Sequence, residues 1–161
     1  MNLEYIIPSN NAQLADAVGL FKEYANSLNI SLDFQNFDKE LTIISSMYGS
    51  PTGCLFVVYN ENEAIACAAY RQIAPGICEL KRMYIKPAFR GLGIGKCLLE
   101  KLCTKAFEHD YHLMRLDTLD TMLPAIKLYR DNGFYEIDAY YHNPNKGVVY
   151  MEKLLTKLGN N

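Results

Sequence analysis

Apolar residues recur as Leu14, Val18, Phe21, Ala25 and Leu28, the three-to-four spacing of a single helix face. Asn10 precedes that run, with Gln13 three residues later, a helix-start signature. A short apolar run at 3–7, closed by Pro8, reads as a strand ahead of it. A second helix is expected over 36–48, where Phe37, Leu41, Ile44 and Tyr48 share a face, until Gly49-Ser50-Pro51-Thr52-Gly53 breaks it. Apolar runs of strand length follow at 54–59, 64–71 and 77–85. Asn60-Glu61-Asn62-Glu63 and Ala74-Pro75-Gly76 join them, connections short enough to imply an antiparallel meander.

The helical period returns over 92–109, where Ile94, Leu98, Leu102 and Ala106 share one face. Lys96, Glu100, Lys101, Lys105 and Glu108 of that segment suit water. Residues 113–119 read as a strand, so strand, crossover helix and strand predict a right-handed unit with 77–85 and 113–119 parallel. Asp120 or Thr121 is expected to cap a shorter helix with Pro124 in its first turn and Gly133 at its end. Strands at 134–141 and 147–154 close the chain through Asn143-Pro144-Asn145-Lys146-Gly147. With no internal repeat, low-complexity tract or linker, residues 1–161 are expected to form one α/β domain.

A chain of 161 residues can bury a sizeable core, and 50% hydrophobic with 21% charged residues is ordinary for a globular protein. Sixteen basic against eighteen acidic side chains leave a formal charge of −2, which argues against a nucleic-acid binder. Met1-Asn2-Leu3-Glu4-Tyr5 lacks the basic region and apolar run of a signal peptide, and no apolar stretch suggests a membrane span. The five cysteines, Cys54, Cys67, Cys78, Cys97 and Cys103, form no CxxC pair and sit inside apolar patterns. They read as small buried hydrophobes of a reduced, cytoplasmic protein. Neither they nor His109, His112 and His142 have metal-ligand spacing, so no metal is expected.

Arg90-Gly91-Leu92-Gly93-Ile94-Gly95-Lys96 stands between the expected strand and the long helix. Glycines bring backbone N–H groups close to an anion, and the helix adds unpaired donors and the positive end of its dipole. Arg90 and Lys96 bracket the turn with positive charge. A P-loop reading places Arg90 at the first glycine position and Cys97 at the hydroxyl position, and so fails. A dinucleotide fingerprint fails in both frames, with Lys96 or Leu98 at its last glycine. What remains is Arg-x-x-Gly-x-Gly, or a glycine-rich turn that binds nothing.

The loop resembles the acyl-coenzyme-A pyrophosphate loop of the GNAT superfamily of N-acyltransferases. Glu79-Leu80-Lys81-Arg82-Met83-Tyr84-Ile85 before it, and Ala125-Ile126-Lys127-Leu128-Tyr129 with Gly133-Phe134 after it, strengthen the likeness. The element order β-α-α-β-β-β-α-β-α-β-β is similar over nearly the whole chain, although the first fifty residues match in architecture alone. The resemblance implies an α/β (α+β) fold with a mixed, mostly antiparallel central sheet, one parallel pair and helices on both faces.

It further implies acetyl-CoA as co-substrate, its pyrophosphate on the backbone N–H groups of Arg90, Gly91, Leu92, Gly93, Ile94, Gly95 and Lys96. The pantetheine arm would pair with the backbone of Met83, Tyr84 and Ile85, one N–H of which donates to the thioester oxygen. Tyr129 would protonate the departing thiolate; a phenol near pKa ~10 and a thiol near ~8.5 differ by roughly 2 kcal/mol. Its alternative is packing. Glu79 is the candidate base for a primary ammonium, or else a strand-surface partner of Lys81 or Arg82, or a docking charge for a cationic amine. Cys78, on the opposite side of the strand from Glu79, is the candidate nucleophile of a less favoured ping-pong route.

Asp117 and Asp120 end a strand beside the expected cleft, and Asp33, Gln35, Asn36, Tyr140, Tyr141 and His142 occupy segments that line the acceptor pocket in similar proteins. The expected reaction moves an acetyl group to a primary amine, of a small molecule first and of a peptide or protein second. A non-catalytic acyl-CoA sensor is the alternative of another class. A closed pocket between 28–37 and 140–147 would mark a small acceptor, an open groove a protein. The apolar residues of the last strands leave a homodimer open.

Overall fold

The computed structural model describes residues 1–157. Residues 158–161, the end of the expected domain, lie outside the described residues. The chain opens with β1 (Leu3–Ile6) and α1 (Asn11–Ser27), which Asn10 caps as expected, its Oδ1 accepting from Gln13 N–H at 2.9 Å. The meander follows as β2 (Cys54–Asn60), β3 (Glu63–Ala74) and β4 (Ile77–Ile85), all antiparallel. Then come α4 (Ile94–Glu108), β5 (Leu113–Leu119), α5 (Leu123–Asp131), β6 (Tyr135–Ile137) and β7 (Val148–Leu154).

The second expected helix is broken. Asp33–Gln35 forms a 3-10 turn, α2 covers Phe37–Thr42 and α3 only Ile44–Met47, with Ile43 off-helix at φ −121°. The run Thr42-Ile43-Ile44 is β-branched, which disfavours a continuous helix, and Glu40 is drawn inward by Arg82. The strand expected over 134–141 ends at Ile137, because Tyr140 and Tyr141 turn toward carboxylates rather than continuing the ladder. Neither Asp120 nor Thr121 caps α5: its N-cap is Met122, without a side-chain hydrogen bond.

The seven strands lie in the order β1-β2-β3-β4-β5-β7-β6, antiparallel throughout except for β4 and β5. On one face α4 and α5 cover Ile65, Tyr70, Met114, Leu116 and Met151; Leu98, Leu102 and Ala106 supply the α4 side. On the other, Ala17, Leu20 and Phe21 of α1 pack with Ile44 and Tyr48 on Leu55, Val57, Cys67 and Ala69. Helices therefore stand on both faces of a mixed, mostly antiparallel sheet.

Two irregularities shape the middle of that sheet. The parallel ladder joins only Ile77–Glu79 to Leu113–Arg115, after which β4 follows β3 to Ile85 and β5 follows β7 to Leu119. Within β4, Ala69 faces Lys81 and Cys67 faces Tyr84, so one extra residue is accommodated at Arg82 and Met83. Arg82 sits at φ +57°, the left-handed region. Such a bulge bends and twists its strand, carrying the end of β4 away from β5.

Candidate active site

The separation of β4 from β5 opens a cleft of about 590 Å³. Leu80, Lys81, Arg82 and Met83 form one wall, Leu116, Asp117, Thr118 and Leu119 the other, and Tyr129 of α5 lines the same space. The glycine loop lies at one mouth. Gly91 and Gly93 adopt φ +78° and +80°, with open space where a Cβ would stand. Gly95 has a different role: a Cβ there would lie 3.1 Å from Leu128 Cδ2 and 3.2 Å from Ile85 Cδ1, so its absence lets α4 seat closely.

Gly93 is the N-cap of α4, and among the described residues no side chain caps this helix. The ladder begins with Cys97 N–H to Gly93 O at 3.1 Å, leaving the N–H groups of Ile94, Gly95 and Lys96 without an intrahelical acceptor. Arg90 is tethered, its Nε donating to Ile85 O at 2.9 Å. Lys96 is exposed beside Glu100. Three uncapped donors, two open left-handed glycines and flanking cations fit an anionic phosphate. Arg90, Gly91, Gly93, Gly95 and Lys96 line the cleft with Met83, Tyr84 and Ile85. Leu92 instead points outward and Ile94 is buried in the core.

Tyr129 is 7% exposed, and its hydroxyl lies 3.8 Å from Met83 Sδ, a weak acceptor. Burial pushes the phenol above its ordinary value, so it holds its proton more firmly than the free side chain. The gap to a free thiol is then wider than the free-solution figure.

Side chains from five segments build the other end. Glu79 is buried, accepts from Tyr140 OH at 2.6 Å and pairs with Arg71 at 3.3 Å, Lys81 standing 3.6 Å from it. Glu79 is not among the residues lining the cleft, but Lys81 is. Lys81 Nζ donates to Gln35 Oε1 at 3.1 Å, and Gln35 Nε2 donates to Tyr141 OH at 3.3 Å. Tyr141 in turn donates to Asp117 Oδ2 at 2.6 Å, where Asn143 also donates at 3.0 Å. Burial, followed by Arg82, lowers the Lys81 pKa from its ordinary value. Arg82 forms a forked pair with Glu40, both contacts 2.8 Å, and lies 5.2 Å from the Phe37 ring centre. Tyr140 and Tyr141 are held protonated, pushed up by burial and by Glu79 and Asp117 respectively.

The Acetyltransferase (GNAT) family model matches residues 20–134. The chain belongs to the GNAT family. An N-acetyltransferase of Schizosaccharomyces pombe, itself uncharacterised, is 40% identical over 146 residues, covering 89% of this chain and 90% of that protein. Human N-acetylaspartate synthetase is 31% identical over 112 residues, 68% of this chain and 37% of the synthetase. Among solved structures, the PaiA N-acetyltransferase of Thermoplasma acidophilum in complex with coenzyme A aligns with a TM-score of 0.74 at 19% identity, over 96% of this chain and 99% of that one.

In this GNAT chain the residues expected from sequence fall into two groups. The loop, the end of β4 and Tyr129 meet in one cleft. Glu79 is engaged beside that cleft by Arg71 and Tyr140. Cys78 is fully buried, its thiol pushed up by burial and set 3.7 Å from Leu113 O, which suits packing rather than attack. Cys97 is half-buried, unlike the other four cysteines. Sequence reading missed the Arg82–Glu40 pair, and it gave Lys81 no role beyond a possible partner for Glu79. Two consecutive cations on a strand would ordinarily face opposite ways, and only the bulge turns both toward α2 and the 3-10 turn.

Proposed function

We propose that this chain is an acetyl-CoA-dependent N-acetyltransferase acting on the primary amine of a small molecule. The observation that carries the reading is one continuous cleft from the glycine loop past Tyr129 to Lys81 and Asp117. Gln35 of the 28–37 segment bonds Tyr141 of the 140–147 segment across its far end. That bridge suits a small acceptor better than an extended peptide. A relative named for N-acetylaspartate is in keeping with it.

Acetyl-CoA would supply the thioester, whose C–S bond breaks as the amine nitrogen bonds the acyl carbon. The backbone donors at Gly93–Lys96 and the tethered Arg90 hold the pyrophosphate. Met83, Tyr84 and Ile85 offer strand-edge backbone to the pantetheine arm, because β5 has already left β4. Tyr129, protonated and with its hydroxyl on no stronger acceptor than the Met83 thioether among the described residues, donates its hydroxyl to the sulfur as charge develops there. Glu79 contributes as a scaffold: fixed by Arg71 and Tyr140, it holds the flap after β6 against β4. Asp117, the acidic side chain among those lining the cleft, draws the acceptor ammonium to the gap between the strands and, directly or through water, takes the proton that the nitrogen must lose before it attacks.

The test is acetyl-CoA-dependent thiol release across amino acids, polyamines, aminoglycosides and short peptides, with donor binding followed by calorimetry. Release with a small amine supports the reading; peptide-only release replaces the acceptor class. Binding without release on any of them returns the chain to the sensor alternative, and absence of donor binding overturns the reading of the loop.

A further inference from the structure

The β4 bulge places Lys81 and Arg82 side by side toward the same wall of the cleft, with Arg71 and Glu79 behind them and Glu40 opposite. Formal charges in this cluster do not balance. Arg71, Lys81 and Arg82 give three positive charges against two negative from Glu40 and Glu79. The partners are unequally shared. Glu40 is taken up by the fork of Arg82, and Glu79 receives Arg71 and the Tyr140 hydroxyl before Lys81 at 3.6 Å.

Arg71, with its side chain 38% exposed, is also met by water, so the cation short of a partner is Lys81, only 8% exposed and on the lining of the cleft. Its closest partner is a neutral amide oxygen, that of Gln35. A desolvated ammonium in this position is stabilised by whatever anion enters beside it. The opposite wall carries the complementary sign. Asp117 lines the cleft across the strand gap, with Oδ2 held by Tyr141 and Asn143. The bridge Lys81–Gln35–Tyr141–Asp117 fixes the two charges at opposite ends of one side-chain chain.

Resting on the acetyltransferase reading, we propose that the acceptor is a small amine bearing a carboxylate, an amino-acid-like zwitterion. Lys81 receives the carboxylate, and the amino group is directed toward the Asp117 side. The site is then a discriminator as well as a holder. A polyamine would bring a further positive charge against Lys81, and an uncharged amide would leave the buried ammonium with only the shared Glu79 at 3.6 Å and the neutral Gln35 oxygen.

The experiment compares acceptors in which carboxylate is replaced by amide: glycine with glycinamide, β-alanine with its amide, and L-aspartate and L-glutamate with their diamides, in which both carboxylates are replaced, with spermidine as the cationic control. For wild type, kcat/KM for the preferred acid should exceed that for its amide by at least ~10-fold, the scale of one charge-assisted hydrogen bond. Lys81→Met should bring that ratio within about twofold while coenzyme-A binding is retained. Amides have less basic amino groups, which affects wild type and variant alike, so the ratio of ratios isolates Lys81. The preferred acid should also raise the melting temperature of the coenzyme-A-loaded wild type and not of the variant, a readout independent of turnover. Lys81 acting as a base would instead lower kcat for acid and amide equally, leaving their ratio intact, and that result overturns the proposal. Preference for spermidine or for the amides also overturns it, as does bound acetyl-CoA with no release from any acid. Failure to bind acetyl-CoA overturns the acetyltransferase reading beneath it.

Discussion

The two ends of the cleft, proposed as the donor end and the acceptor end, are built from different materials. The donor end is mostly backbone: two left-handed glycines, an uncapped helix start and the free edge of a strand. The acceptor end is almost entirely side chain, with Glu79, Lys81 and Arg82 from β4 meeting Gln35, Glu40, Tyr140, Tyr141 and Asp117. On the proposed reading, the backbone donors would meet a phosphate that is the same for every acetyl-CoA. Side-chain charges can be exchanged without disturbing the fold of the loop. A common donor and a variable acceptor would favour this division of labour.

The largest effect should come from the acceptor side. Glu40→Ala leaves the Arg82 guanidinium buried without its fork, and should cost about 3–5 kcal/mol of stability, read by urea unfolding. A loss below ~1 kcal/mol would mean that the fork does not hold α2 to β4. Next comes the chemistry shared by both ends. Tyr129→Phe should lower kcat by about 100-fold and leave the coenzyme-A dissociation constant nearly unchanged. Equal loss of both would return Tyr129 to packing alone.

A change confined to the donor end should be smaller. Gly93→Ala keeps open space around the new methyl group but forces alanine to φ +80°, about 1–2 kcal/mol of strain. Coenzyme-A binding should weaken by roughly tenfold, while the acid-to-amide preference of the acceptor site is retained. If that preference shifts with it, the two ends are not separable.

The smallest effect has a sign worth working out. The Lys81 pKa is lowered from 10.5 in the fold by burial and by Arg82, partly opposed by Glu79 and Glu40 and reinforced by Arg71. Between that lowered value and 10.5 the unfolded chain binds more protons than the native one, so this lysine makes wild-type stability rise with pH across the window. Lys81→Met should therefore gain about 1 kcal/mol near neutrality, read as a higher melting temperature. The gain should fade as pH approaches the unfolded value. A variant less stable at every pH would show Lys81 to be a structural partner of Glu79 rather than an excess charge.

Legibility followed the same division. The glycine spacing, the helix periods at 14–28 and 92–109 and the short meander connections are local, and each determined an element that stands close to where it was expected. The one long helix that failed, over 36–48, failed where a β-branched run met a tertiary pull on Glu40. The strand expected over 134–141 was lost to two tyrosines that found carboxylates at 61 and 24 residues' distance along the chain. No local pattern carries that information.

By itself, then, the sequence determined the alternation of strand and helix, the parallel crossover and the glycine turn that opens α4, because those rest on backbone preference and short-range spacing. The tertiary structure alone decided which carboxylate is engaged and which cation is in excess. A one-residue bulge reverses the facing of every later residue in β4, and the partners of Lys81 and Arg82 come from segments about forty residues away.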